Sequence, residues 1–174
     1  MKIRPSLVNF YNYSSAQICL PDKLADNIFN WGYEHIPDKD INFGDFSFGR
    51  ENEIHTTILN GIHTDDPRQV KALLVNSKPF ICKLGQISLF KNNLNFDVVT
   101  IEVRSPELHC LNKDLSKLPH SNNFLEYKPH VTIAYVNPNK ADHLTGNQNF
   151  TGHEFEVKEI VFSSRNGQKI FLNF

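Results

Sequence analysis

Cysteine is scarce in this chain: Cys19, Cys82 and Cys110 are the only three in 174 residues. An odd number at such wide spacing fits no disulfide framework and no redox motif, so the reading is free thiols in a reducing compartment. The histidines and cysteines form no H-x-H, H-E-x-x-H or Cys/His ligand pattern, so no metal and no other cofactor is expected. A glycine-rich phosphate loop with a following lysine is missing, and so is a dinucleotide fingerprint. Apolar runs fall short of the roughly eighteen residues that read as a membrane span, and the first residues lack the charged-then-apolar pattern of an export signal. The expectation is a cytoplasmic protein with no membrane partner. An excess of one charge is missing too: 18 basic and 19 acidic residues give a formal net charge of −1. That argues against a partner as long and anionic as duplex nucleic acid, and leaves room for a small anionic ligand in a local pocket.

What is present suits a globular α+β chain. Hydrophobic residues make up 40% and charged residues 21%, the mix expected of a chain able to bury a core. One domain over 1–174 is expected, divided into two lobes; the sequence sets no oligomeric state. Most of the 14 phenylalanines are expected in a β-rich core. Residues 14–20 read as a strand and 21–36 as a helix, opened by Pro21, striped by Leu24, Ile28 and Trp31, and stopped by Pro37. Residues 38–53, with Gly44 and Gly49, read as a loop, and 54–60 as a strand broken by Asn60-Gly61. A helix over 66–76 is capped by Asp66. Strands over 79–90 and 95–103 flank Lys91-Asn92-Asn93. Ser105-Pro106 opens a helix with Leu108, Leu111, Leu115 and Leu118 at helical spacing, and Pro119 ends it. A strand follows at 130–136, then a hairpin of 154–164 and 168–174 around Asn166-Gly167.

One four-residue phrase occurs twice, as His55-Thr56-Thr57-Ile58 and His130-Val131-Thr132-Ile133, with starts 75 positions apart. Strand side chains alternate between faces, so His55 and Thr57 point one way, and His130 and Thr132 do the same. Side by side, the two strands would aim two imidazoles and two hydroxyls at one groove. Histidine titrates near about 6.5, so one ring can take a proton while the other gives one. Threonine hydroxyls can bond the non-bridging oxygens of a phosphate, where charge builds in the transition state. A single copy of the phrase means little. Two copies on two strands point to acid–base chemistry on a phosphodiester.

With both phrases in view, the sequence resembles the 2H phosphoesterase superfamily, whose members carry two H-x-[ST]-x motifs on two related lobes. The segment at 13–20 with its helix, Ile54 to Asp66, Val103 to Leu118, Tyr127 to Tyr135 and Glu159 to Ser164 look like the bacteriophage branch of that superfamily, the anti-CBASS phosphodiesterases. The resemblance implies an α+β fold of two pseudo-symmetric lobes of antiparallel strands, helices packed outside and a central groove. It implies His55, Thr57, His130 and Thr132 as catalytic residues of a metal-independent phosphodiesterase. The implied substrate is a small cyclic di- or trinucleotide immune signal, cut at a 3′–5′ linkage in the cytoplasm of a phage's host. Two alternatives stand beside it: a phosphodiesterase of RNA metabolism acting on 2′,3′-cyclic phosphates or 2′–5′ bonds, and a protein that sequesters a nucleotide without cutting it. Further substrate-binding candidates are Tyr13 or Tyr11 as base-stacking rings, Lys128 as a phosphate partner, and Arg50 with Phe46 or Phe48 as a lid. His63 lies close enough to the first motif to approach the groove. Tyr135 is expected to face away from His130 by alternation.

Overall fold

A computed structural model describes residues 12–44, 47–91, 94–122, 124 and 126–174. Tyr11 and Phe46 lie outside them. In chain order the described elements are β1 (Ser14–Cys19), α1 (Asp22–His35), β2 (His55–Ile62), α2 (Pro67–Leu73), β3 (Phe80–Phe90), β4 (Asp97–Arg104), α3 (Pro106–Leu115), β5 (His130–Val136), β6 (Glu154–Val157), β7 (Glu159–Ser163) and β8 (Lys169–Asn173), with single 3₁₀ turns at Asp38–Asp40 and Asp142–Leu144. The described strands join one antiparallel sheet in the order β6-β3-β4-β5-β2-β1-β7-β8.

The order divides at its middle, between β5 and β2. The unit β1-α1-β2 on one side repeats as β4-α3-β5 on the other. Each helix crosses to the opposite lobe, α1 lying against β5 and α3 against β2. The helix stripes explain this. Ile28, Trp31 and Gly32 are the buried residues of α1, and Leu108, Leu111 and Leu115 are those of α3. At Gly32 the approach is so close that a Cβ would stand 2.7 Å from Ile133 Cγ2. The fold is therefore the expected one: two pseudo-symmetric lobes with the helices on one face of the sheet.

The last strands differ from the expected hairpin. Residues 154–163 form two strands rather than one, with Lys158 between them. β6 pairs with β3 at one edge of the sheet, and β7 pairs with β1 near the other. A single residue can link opposite edges only if the sheet curls until they meet. The Phe174 amide donates to the Lys158 carbonyl at 3.1 Å, and the Phe80 and Phe174 rings stand 5.7 Å apart, closing the same seam.

The strand with the first motif also runs further than expected. Gly61 lies inside β2 with φ +79°, and a Cβ there would fall 1.9 Å from the Ser121 carbonyl oxygen. The Asn60-Gly61 pair is therefore a kink within the strand, not its end. The segment before β2, expected as plain loop, is tied to β5 by bridges from Ile41 to Val136 and from Arg50 to Ala134.

Candidate active site

β2 and β5 meet where Thr56 pairs with Val131. Thr56 and Val131 are both fully buried against the helices. Alternation then turns His55, Thr57, His130 and Thr132 to the other face, where all four are half-buried. Antiparallel register sets His55 across from Thr132 and Thr57 across from His130. Each imidazole thus has the other motif's hydroxyl as its cross-strand neighbour.

The fourth residue of each phrase has its own job. Ile58 is an extra residue between the pairs Gln17–Thr57 and Ala16–Leu59, and Ile133 is an extra residue between Thr100–Thr132 and Val99–Ala134. Both are β-bulges directly after the motif threonine, and both side chains are buried. The displaced carbonyls find donors off the ladder. Asn112 Nδ2 bonds the Ile58 oxygen at 2.7 Å, and the Glu51 amide bonds the Ile133 oxygen at 2.9 Å. Tyr127 fixes the same strand by donating its hydroxyl to the Thr57 carbonyl at 3.0 Å.

The imidazoles are oriented by the backbone. His55 Nδ1 lies 2.6 Å from the Glu53 carbonyl, and His130 Nδ1 lies 2.7 Å from the Lys128 carbonyl. A carbonyl only accepts, so Nδ1 carries the hydrogen in each ring and Nε2 is the nitrogen left for chemistry. Phe90 packs against His130 at 4.7 Å between centroids, close to perpendicular. Burial lowers the pKa of His130; the Lys128 carbonyl opposes that, and the charge of nearby His55 adds to it. Among the described residues no group of three His, Cys, Asp or Glu side chains is placed to hold a metal ion.

The weaker sequence candidates fall elsewhere. Arg50 is not a lid. Its guanidinium bonds the Gly32 and Ile36 carbonyls at the end of α1, pairs with Asp38 at 2.8 Å, and stacks on Tyr33. That spends its donors on the helix terminus. Lys128 serves His130 through its carbonyl, while its ammonium pairs with Glu126 at 3.3 Å. Tyr13 is exposed and stacks on His63 at 5.0 Å, and His63 bonds the Ser121 hydroxyl at 2.7 Å. Neighbouring Ser14 pairs with Ile62, so this platform lies beyond Thr57 by most of the length of β2, at roughly 15 Å.

Tyr135 is a residue that alternation misplaced. The bulge at Ile133 reverses the parity of β5, so Tyr135, paired with Val98, shares a face with Thr132. It packs edge-on against Phe48 and Phe96 at 5.4 and 5.3 Å. Burial, with the Glu51 charge adding to it, pushes its hydroxyl up to about 12. Nothing in the local sequence marks the bulge that turns it inward.

The family model described as "Anti-CBASS protein Acb1" matches residues 46–164. The chain belongs to that family. No curated protein matches it by sequence. Among solved structures, E. coli LigT complexed with 3′-AMP is similar with a TM-score of 0.67 at 15% identity, over 93% of this chain and 94% of that one. TT0787 of Thermus thermophilus gives 0.62 at 14% identity, over 92% and 97% of the two chains. Kluyveromyces marxianus Usb1 with uridine monophosphate gives 0.56 at 12%, over 94% and 99%. At these identities the likeness is one of fold, that of the 2H phosphoesterases. As a member of the Acb1 family with this fold, the chain is a phosphodiesterase.

Proposed function

We propose that the chain opens small cyclic oligonucleotides, the di- and trinucleotide signals of bacterial immunity, at a 3′–5′ linkage. The observation that carries this is the register of β2 and β5, which sets each motif histidine beside the other motif's threonine. His130, whose charged form burial disfavours, takes the proton of a ribose 2′-hydroxyl at Nε2. The 2′-oxygen bonds to phosphorus, the bond from phosphorus to the 5′-oxygen breaks, and His55 as imidazolium protonates that leaving oxygen. Thr57 and Thr132 donate hydrogen bonds to the non-bridging oxygens as their charge grows. The 2′,3′-cyclic phosphate so formed is open to water with the two roles exchanged. These four groups move both protons and bind the charge, so turnover is expected to persist in chelator. Work on a phage's behalf in the host cytoplasm fits the family's anti-CBASS name. Among the described residues no helix is long and apolar enough to cross a membrane.

A second reading, action on 2′,3′-cyclic or 2′–5′ RNA ends, draws on the mononucleotides in the similar LigT and Usb1 structures. Sequestration without cleavage fits poorly, because binding alone gains nothing from a proton donor paired with an acceptor. The test is one chelator-containing assay of a cyclic dinucleotide, a 2′,3′-cyclic mononucleotide and a 2′–5′ oligoadenylate. The fastest turnover is expected on the cyclic dinucleotide. Preference for either of the other two would replace this reading.

A further inference from the structure

The geometry points to Lys169 as the group that holds a second phosphate of the substrate, one linkage away from the bond being cut. This rests on the substrate being a cyclic oligonucleotide. Lys169 opens β8 and lies past residue 164, where the match to the family ends.

Strand register turns Lys169 to the motif face at the Ser15 end of β1, and only its long side chain carries the amine back to Glu53. Lys169 pairs with Ser163, and Ser163 pairs with Ser15. Ser15 alternates with Gln17 and Cys19, which pair with Thr57 and His55. The Lys169 amine then reaches across to the carboxylate of Glu53, the residue whose carbonyl seats His55. It also acts on Cys19, the cross-strand neighbour of His55. Burial raises that thiol's pKa, and the lysine's charge opposes the rise. The side chain is 32% exposed, and an ammonium has three donors, of which one carboxylate contact leaves others for a ligand.

A cavity of about 370 Å³ opens here, bounded by Cys19, Glu53, Lys169 and the start of α1. Asp22 and Asp26 line it as well, so its interior repels an anion. A phosphate therefore belongs at the lysine's rim, on the His55 side. Two other cations of this half of the sheet are paired with carboxylates, Arg50 with Asp38 and Arg165 with Asp65.

The consequence is selectivity. A 2′,3′-cyclic mononucleotide has one anionic group, and the histidines use it. A cyclic dinucleotide carries a second phosphate across its ring, and only that one can meet a lysine standing beyond His55. Lys169 therefore favours ring substrates over mononucleotides without touching the reacting atoms.

The experiment compares kcat/KM for a 3′–5′ cyclic dinucleotide and a 2′,3′-cyclic mononucleotide across the natural chain, Lys169→Met and Lys169→Arg. Loss of one charge-assisted contact is expected to lower the dinucleotide value in Lys169→Met by about tenfold or more, mainly through KM. The mononucleotide value is expected to stay within about twofold, which also shows that the variant is folded, and Lys169→Arg should recover most of the loss. Equal losses on both substrates would show that the lysine only props Glu53 and His55, and would overturn the inference. No loss on either substrate would overturn it as well. If the natural chain cuts the mononucleotide but no cyclic dinucleotide, the substrate reading itself fails and takes this inference with it.

Discussion

His55 and His130 are seated by one device: each ring gives its Nδ1 hydrogen to the carbonyl two residues earlier, at 2.6 and 2.7 Å. The same tautomer is fixed twice, leaving Nε2 of both rings unclaimed by the backbone. Their surroundings then separate them, since His130 carries the Phe90 edge and has its charged form disfavoured by burial.

A pH dependence follows for activity. With the pKa of His130 lowered, this ring is a base where an ordinary histidine is already half protonated. The acid limb of kcat/KM is expected to have its midpoint below about 6.5. A pH–rate profile of the free enzyme checks it, and a midpoint above about 7 would contradict the assignment. Stability moves in the same sense. A histidine with a depressed folded pKa contributes stability that is present above about 6.5 and lost as pH falls through the folded value. Acid melts should therefore bring the natural chain closer to His130→Gln.

The threonines are expected to act through their hydroxyls rather than their shape. Thr57→Val or Thr132→Val keeps the β-branched volume and removes the donor. Each is expected to lower kcat by about 10²–10³-fold, as loss of an oxyanion donor does. Thr57→Ser and Thr132→Ser should stay within about tenfold of the natural chain. Saturating turnover measurements on the four variants decide between hydroxyl and packing roles.

The strands that carry the two motifs could be read from the chain because their patterning is local. His130–Val136 forms a strand with the expected bounds, since Val131 and Ile133 alternate with polar partners and Pro119 clears the helix away before it. What escaped is set by distant contacts. Arg50 reads like any loop cation until the end of α1 arrives to take its donors. The break at Lys158 carries no proline or glycine, and its cause is the curl that brings the sheet's edges together. Tyr135 was misplaced because alternation fails across a bulge, and bulges depend on the partner strand.

Packing makes its own prediction at Gly32. A methyl group there would stand 2.7 Å from Ile133 Cγ2, tighter than buried carbons allow. Alanine's better helix propensity is worth about 1 kcal/mol, and overpacking a core costs about 1–3 kcal/mol. Gly32→Ala is expected to be net destabilising, read as a lower denaturant midpoint. A raised midpoint would mean that Ile133 yields freely.

Thr56 offers the opposite case. Its hydroxyl oxygen is buried with no hydrogen-bond partner, and leaving such a group unsatisfied costs about 1–3 kcal/mol. Thr56→Val keeps the shape and removes the orphan. It is expected to raise Tm by about 2–4 °C per kcal/mol recovered, measured by thermal melting. A drop in Tm would show that the hydroxyl is satisfied after all.

In the proposed reaction both imidazoles act on one phosphorus atom. Single-turnover cleavage of a cyclic dinucleotide by His55→Ala, His130→Ala and the double variant tests it most directly. Each single change is expected to slow the chemical step by about 10²–10⁴-fold, with the double variant scarcely slower than the worse single one, because partners in one step fail together. Losses that simply multiply, or near-normal turnover in either single variant, would contradict it.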